Sequence, residues 1–211
     1  LPLIDHISRF KKPIILSTGM NDLNSVSDTV KIIKSYECPL IILHCTSMYP
    51  TPPNKVRLGA ITEMINHFKN IPIGLSDHCI ENFASFGAVA LGAKVIEKHF
   101  TLSKKWPGPD NFMSLEPKEL QDLVFGINDI WLASGGSKNI LNEEKPVIDF
   151  AYASVVTTKS VKKGEIVSKD NTWVKRPGNG EILATEFFKI QGKSFKSNLD
   201  KDHQLKYTDI Q

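Results

Sequence analysis

The chain has 211 residues, a formal net charge of +3 and 41% hydrophobic residues, which is the composition of an ordinary globular protein. It is too long for one small module and too short for a complete eight-stranded (β/α) barrel with a further domain. The mild charge gives no argument for a nucleic-acid or membrane partner, and no apolar run approaches the roughly 20 residues of a membrane span. Cys38, Cys45 and Cys79 lie in or beside apolar segments, which suits reduced thiols in the cytoplasm.

After an amphipathic lead-in at 1–12, short apolar runs alternate with stretches that have hydrophobic residues at helical spacing. The runs predict strands at 13–20, 39–46, 71–76 and 93–100. The stretches predict helices at 21–36, 58–68 and 82–91, and a fourth that follows the capping residues 114–117 and ends near residue 133. Almost entirely apolar strands that alternate with helices indicate a parallel sheet.

Four such βα units in a row, each with polar residues just past the strand end, predict half of a (β/α) barrel. The chemistry of such barrels lies at the C-terminal ends of the strands. A doubly wound open sheet is the structural alternative. It would more often carry a glycine-rich GxGxxG turn, and the sequence has none.

The remainder of the chain has a different pattern. Residues 137–150 lose the hydrophobic periodicity and predict a linker. Residues 151–211 contain short β-type runs, separated by turns rich in glycine, asparagine and lysine. These runs are 154–158, 165–167 and 172–174. The sequence therefore predicts a barrel domain at 1–136, a linker at 137–150 and a small, mainly β domain at 151–211.

Two neighbouring strand ends carry histidine: Ser76 and His78 end the third strand, and Glu97 and His99 end the fourth. Side chains alternate along a strand, so each of these pairs shares one face, while Lys98 points to the other. Two neutral imidazoles, with water and substrate oxygens, suit a divalent metal ion, and Glu97 could transfer a proton beside it. The alternative is that both histidines bond buried backbone groups and that Glu97 only orients His99.

Four further residues are candidates for substrate binding. Ser47 and Tyr49 follow the second strand, in a loop that three prolines stiffen. Asp110 lies in the loop after the fourth strand, where a carboxylate could hold sugar hydroxyls. Arg176, in a turn of the second domain, presents a guanidinium suited to a carboxylate, a phosphate or an amide carbonyl.

Five motifs, taken in this order, are specific enough to resemble one enzyme family. They are STGM at 17–20, HCTSMYP at 44–50, GLSDH at 74–78, EKHFT at 97–101 and GPD at 108–110. They resemble the sialic acid (N-acetylneuraminate) synthases and their legionaminic and pseudaminic acid relatives. Residues 163–193 resemble the family's C-terminal antifreeze-like (SAF) domain. The resemblance implies the C-terminal half of a (β/α)8 TIM barrel, followed by a small, mainly β antifreeze-like domain.

This family condenses phosphoenolpyruvate with an N-acylated mannosamine-type sugar and releases phosphate and a nine-carbon 2-keto acid. The resemblance implies that His78 and His99 bind the metal, usually Mn²⁺ with Mg²⁺ or Co²⁺ as alternatives, and that Glu97 is catalytic beside them. The metal polarises the sugar aldehyde, and the enol carbon of phosphoenolpyruvate attacks it. Water then adds at C2, and the tetrahedral intermediate loses phosphate.

The resemblance also implies the substrate contacts. Ser76 and Ser47 would hold phosphoenolpyruvate, although position 47 is Asn in some members. Tyr49, Glu97 and Asp110 would contact the sugar. Arg176 would reach the sugar bound by the partner subunit of a domain-swapped homodimer.

The family's first four barrel strands also hold substrate, and the sequence has no counterpart of them. We therefore expect an N-terminally truncated synthase whose 211 residues alone are inactive and prone to associate. A non-catalytic carbohydrate-binding or assembly remnant is the alternative from another functional class. A further alternative is a phosphoenolpyruvate-condensing synthase of deoxy-sugar acids, against which the C-terminal domain argues. The acceptor sugar stays open.

Overall fold

The computed structural model describes residues 1–211 and divides them into two compact units, Leu1–Gly136 and Ser137–Gln211. None of its helices combines the length and the apolar character needed to cross a bilayer. The three cysteines are free and buried. The predicted division at 1–136, 137–150 and 151–211 stays a prediction.

The first unit consists of four consecutive βα pairs preceded by a short helix. Its elements are α1 (Pro2–Ser8), β1 (Ile14–Ser17), α2 (Leu23–Ser35), β2 (Leu40–Cys45), α3 (Gly59–His67), β3 (Ile73–Asp77), α4 (Phe83–Ala90), β4 (Val95–Lys98) and α5 (Pro117–Ala133). All neighbouring strands are parallel and lie in the order β1-β2-β3-β4. This order and direction confirm the predicted half barrel.

One face of the sheet is packed against helices. Ile42, Ile73 and Leu75 point to this face and are at most 1% exposed. They belong to one apolar cluster with residues of α2, α3 and α4. Burying such side chains contributes roughly 1.5–3 kcal/mol each, so this face supplies much of the stability of the unit.

The other face is less covered, and a glycine shapes it. A Cβ on Gly74 would lie 2.3 Å from the backbone oxygen of Val95 and 2.6 Å from Cδ2 of Leu43. Because Gly74 has no side chain, the Leu43 side chain can lie over β3. The outermost strands, β1 and β4, each pair with one strand only, and Ile15 on β1 is 56% exposed. The sheet thus has two open edges, each of which can accept a further strand.

The second unit is mainly β, as predicted. Its elements are α6 (Lys145–Ala151) and the antiparallel strands β5 (Ser154–Thr157) and β6 (Thr172–Lys175), together with short 3₁₀ turns. Isolated bridges, such as Val161 with Leu199 and Phe195 with Ile210, close the rest of the chain around a buried apolar cluster. The predicted β-type run at 165–167 pairs with residues 193–195 through one isolated bridge, Ile166 with Ser194, and through backbone hydrogen bonds that join Glu165 to Phe195 and Val167 to Lys193.

Candidate functional site

The register of β3 and β4 brings the two predicted strand ends together. Ser76 lies opposite Glu97, and its hydroxyl donates a hydrogen bond of 2.6 Å to Oε1 of that carboxylate. His78 and His99 follow two residues later on the same face. Their ring centroids are 5.3 Å apart, and the rings are inclined at 70°. Four of the predicted site residues therefore form one group.

Two loop residues complete this group. The Tyr49 ring, in the loop between β2 and α3, has its centroid 4.2 Å from that of His78 and 5.9 Å from that of His99. Oδ2 of Asp110 lies 3.9 Å from Nδ1 of His99. That separation is too long for a hydrogen bond but short enough for electrostatic attraction to a charged ring.

The orientation of His78 is fixed by the backbone. Its Nδ1 lies 3.0 Å from the carbonyl oxygen of Thr46, and the side chain is buried. A carbonyl can only accept, so Nδ1 carries the hydrogen and Nε2 of the neutral ring keeps its lone pair. A backbone carbonyl on one ring nitrogen, with the other nitrogen free, is the usual arrangement of a metal-binding histidine.

The donor set therefore fits a divalent metal ion with an open coordination sphere. No group of three or more His, Cys, Asp or Glu side chains is arranged to hold a metal. The protein ligands would be the imidazoles of His78 and His99 alone, with water or substrate oxygens in the other positions. Such a mixed nitrogen and oxygen set suits Mn²⁺ and similar ions better than a closed structural zinc site.

The other two candidates, Ser47 and Arg176, have different surroundings. Ser47 packs against Gly19, where a Cβ would lie 2.1 Å from its Oγ, so a larger residue at that position would displace the Ser47 hydroxyl. Ser47 makes no hydrogen bond to Tyr49, Ser76 or the histidines. Arg176 is an exposed residue of the second unit, in the turn that follows β6.

A third histidine, His44 in the motif at 44–50, lies on the packed face instead. Its Nε2 is 2.7 Å from the carbonyl oxygen of Val56, and its side chain is buried. Burial lowers its pKa, because an imidazolium would lose its hydration, and the charge of Arg57 lowers it further against the opposing effect of the Val56 hydrogen bond. His44 is therefore a structural residue.

Sequence reasoning placed Lys98 on the face opposite Glu97 but missed its partner. Its ammonium lies 3.0 Å from Oδ2 of Asp77, and the two side chains are 3% and 1% exposed. Burial, with the charge of Asp77 as a smaller contribution, raises the pKa of the Cys79 thiol to about 12. Alternation along β3 and β4 could have placed both residues on this face, but only the register shows that they meet.

Comparisons with known proteins show which family the chain resembles. The model of the NeuB family matches residues 1–139 and that of the SAF domain matches residues 152–211. An N,N′-diacetyllegionaminic acid synthase of Campylobacter jejuni is 40% identical over 98% of this chain. The chain spans about three fifths of the length of the curated relatives it matches, 62% in that case.

Two solved structures are also similar. The N-acetylneuraminic acid (sialic acid) synthetase of Leptospira borgpetersenii, in complex with citrate, is 33% identical with a TM-score of 0.65, over 70% of this chain and 52% of its own. The spore coat polysaccharide biosynthesis protein SpsE of Bacillus subtilis is 31% identical with a TM-score of 0.60. That alignment covers 100% of this chain and 64% of the Bacillus chain, so the likeness extends over both units.

Proposed function

Because the chain belongs to the NeuB family and carries a SAF domain, we propose that it forms the C-terminal part of a sugar-acid synthase. The reaction condenses phosphoenolpyruvate with an N-acylated mannosamine-type sugar and gives a nine-carbon 2-keto sugar acid and phosphate. The observation that carries the proposal is the group of Tyr49, His78, Glu97 and His99 at two adjacent strand ends and the neighbouring loop. The names of the Campylobacter and Leptospira proteins support a sugar-acid product.

The two imidazoles define where a divalent ion would bind, with Mn²⁺ as our first assignment and Mg²⁺ or Co²⁺ as alternatives. When bound there, the ion supplies a Lewis acid that polarises the aldehyde oxygen of the sugar. Thr46 contributes indirectly, since its carbonyl keeps Nε2 of His78 free of hydrogen.

Glu97 is placed to handle protons. The enol carbon of phosphoenolpyruvate bonds to the aldehyde carbon, whose oxygen then needs a proton. Water adds at C2 and loses a proton, and the carbon–oxygen bond to phosphate breaks. Glu97 lies on the histidine face, so its carboxyl group, starting in the protonated form, can supply the first proton, and the carboxylate that remains can accept the second.

Ser76 links Glu97 to the anionic substrate. Its hydroxyl has one hydrogen, which it donates to Oε1 of Glu97 at 2.6 Å. When Glu97 is protonated, it can donate to Ser76 instead, and the Ser76 hydroxyl is then free to donate to phosphoenolpyruvate. We assign Ser76 this role together with Ser47, and we assign Tyr49 and Asp110 to the sugar.

Arg176 belongs to the second unit, and we propose that it binds the sugar held by the other subunit of a domain-swapped homodimer. The guanidinium is exposed and can bind a carboxylate or an amide carbonyl. With each chain joined to the four further strands of a complete barrel, mixing a His99→Ala chain with an Arg176→Ala chain should then restore activity, because one site of each mixed dimer keeps both residues. No recovery on mixing would contradict the swap.

The test of the function is a product assay with phosphoenolpyruvate, Mn²⁺ and each candidate sugar. It compares this chain with the completed barrel. By this we mean the chain joined to four further strands that close the sheet between its edges β4 and β1. The completed barrel should release phosphate and form a keto acid with N-acetylmannosamine or a diacetamido-trideoxy hexose, and the 211-residue chain alone should not. Absence of keto acid with every sugar would contradict the proposal. Binding of sugar that needs neither metal nor phosphoenolpyruvate would favour a carbohydrate-binding remnant.

A further inference from the structure

A buried polar network lies on the packed face of the sheet, directly behind the candidate site. The Lys98 ammonium donates to Oδ2 of Asp77 at 3.0 Å, to the carbonyl of Cys79 at 2.6 Å and to the carbonyl of Glu81 at 3.1 Å. Oδ2 of Asp77 also accepts from the Ser85 hydroxyl at 2.7 Å, and Oδ1 accepts from the backbone N–H of Cys79 at 2.8 Å. The network therefore joins β4, the end of β3, the following loop and α4.

All hydrogens of the ammonium are used in this network. A lysine ammonium has three donors, and Lys98 has three acceptors within hydrogen-bond distance. Both carboxylate oxygens of Asp77 are bonded as well. A buried charge pair with every bond satisfied permits little movement, because any shift leaves a desolvated group without a partner.

The network holds the backbone on both sides of His78. Asp77 precedes His78 and Cys79 follows it, and the two are bonded to each other and to Lys98. Lys98 is in turn the residue before His99. The Lys98 ammonium thus connects the residue before His99 to both chain neighbours of His78.

We propose that Lys98 and Asp77 are positioning residues that set the distance between His78 and His99. The inference rests on the proposed function, since the spacing matters only if the two imidazoles share a metal ion. A buried ion pair is weak support for stability, because apolar residues of similar volume often serve as well. Lys98 and Asp77 lie opposite each other in the pairing of β3 with β4, and the histidine pair requires that same register.

The experiment uses a double variant, Asp77→Asn with Lys98→Met, because removing Lys98 alone would leave a buried unpaired carboxylate. The double variant removes both charges and the donor to the two loop carbonyls. Lys118→Met is the control, since it removes a lysine from an exposed pair with Asp122 on α5. The two readouts are the nuclear Overhauser effect between the His78 and His99 rings in metal-free protein and the affinity for Mn²⁺ alone.

We expect the ring contact to weaken in the double variant and the affinity for Mn²⁺ to fall roughly 10-fold, in the range seen when residues that orient metal ligands are replaced. The control Lys118→Met should keep both the ring contact and the affinity for Mn²⁺. A double variant that melts earlier but keeps the ring contact and the affinity would overturn the inference, because the pair would then be purely structural. If the native chain binds no Mn²⁺, the metal assignment fails, and the ring contact still decides whether the pair positions the histidines.

Discussion

The two faces of the four-stranded sheet carry different side chains at alternating positions of the same strands. On β3, Ile73, Leu75 and Asp77 point to the helices, and Ser76 points to the open face beside Glu97 of β4. The packed face is apolar except for residues with buried partners, and the open face gathers hydroxyl, carboxylate and imidazole groups. Consecutive residues of one strand therefore serve different purposes, one for stability and the next for chemistry. Substitutions at adjacent positions should accordingly change either the free energy of unfolding or the activity.

The largest effect is expected on the open face. His99→Ala should abolish metal-dependent turnover in the completed barrel, because it removes half of the protein ligands of the proposed ion. The thermal midpoint should change little, since the His99 side chain is 31% exposed. Phosphate release and a melting curve measure the two effects. His67→Ala on α3 serves as the control, and full Mn²⁺-dependent activity of His99→Ala would refute the ligand assignment.

The second effect concerns proton transfer. Glu97→Gln should lower kcat by about 100- to 10,000-fold, the usual contribution of a general acid or base. The amide oxygen can still accept from the Ser76 hydroxyl, so the fold should be kept. Steady-state kinetics in the completed barrel measure the loss. Glu63→Gln on α3 is the matched change away from the strand ends, and equal activities of the two variants would remove Glu97 from the mechanism.

The third effect belongs to the packed face. Leu75→Ala should lower the free energy of unfolding by about 2–5 kcal/mol, since it leaves a cavity in a closely packed cluster. Urea unfolding of the native chain and the variant measures the difference. The adjacent Ser76→Ala removes one hydrogen bond and should cost only about 0.5–1.5 kcal/mol. Equal losses at the two positions would contradict the division between the faces.

The smallest effect depends on pH. Burial lowers the pKa of His44, so the unfolded chain takes up a proton more readily than the folded one. The stability that this difference supplies is complete above about pH 6.5, the ordinary histidine pKa, and is lost as the pH falls towards the lowered value. Urea unfolding at pH 7.5 and 5.5 should therefore show a smaller acid loss in His44→Gln than in the native chain.

Three charged side chains line the same small cavity as His44, namely Asp22, Arg57 and Glu63. Arg57 opposes protonation of the ring, so replacing it would raise the His44 pKa and reduce the acid loss as well. An identical acid loss in native and His44→Gln protein would show that other groups cause it.

The sequence predicted the strands and longer helices of the first unit because their apolar periodicity extends over many residues. It did not predict α1 or α6, which have seven residues each, since two helical turns are too few for a periodic pattern to be distinguished. The short β-type run at 165–167 does pair with a neighbouring segment, residues 192–195, but through a single bridge and flanking backbone hydrogen bonds rather than as a regular strand. Three residues with β propensity predict extended backbone but not how far its pairing continues.

The candidate site was predicted in part. Period-two alternation placed His78 with Ser76 and His99 with Glu97, and the structure puts all four on one face. The bond between Ser76 and Glu97 and the pair of Asp77 with Lys98 depend on the register of two strands about 20 residues apart in the sequence, as do the loop carbonyls that Lys98 binds. Local patterns do not contain that information.

The burial of all three cysteines has a practical consequence. A thiolate is the form that reacts with maleimides and similar reagents, and the Cys79 thiol, with its pKa near 12, stays protonated at neutral pH. Cys38 and Cys45 are as well shielded, at 7% and 4% exposure. Cysteines introduced on the surface, one in each compact unit, should therefore accept spin labels without prior removal of the native thiols. Distances between such labels would report how Arg176 is placed relative to the histidines in solution.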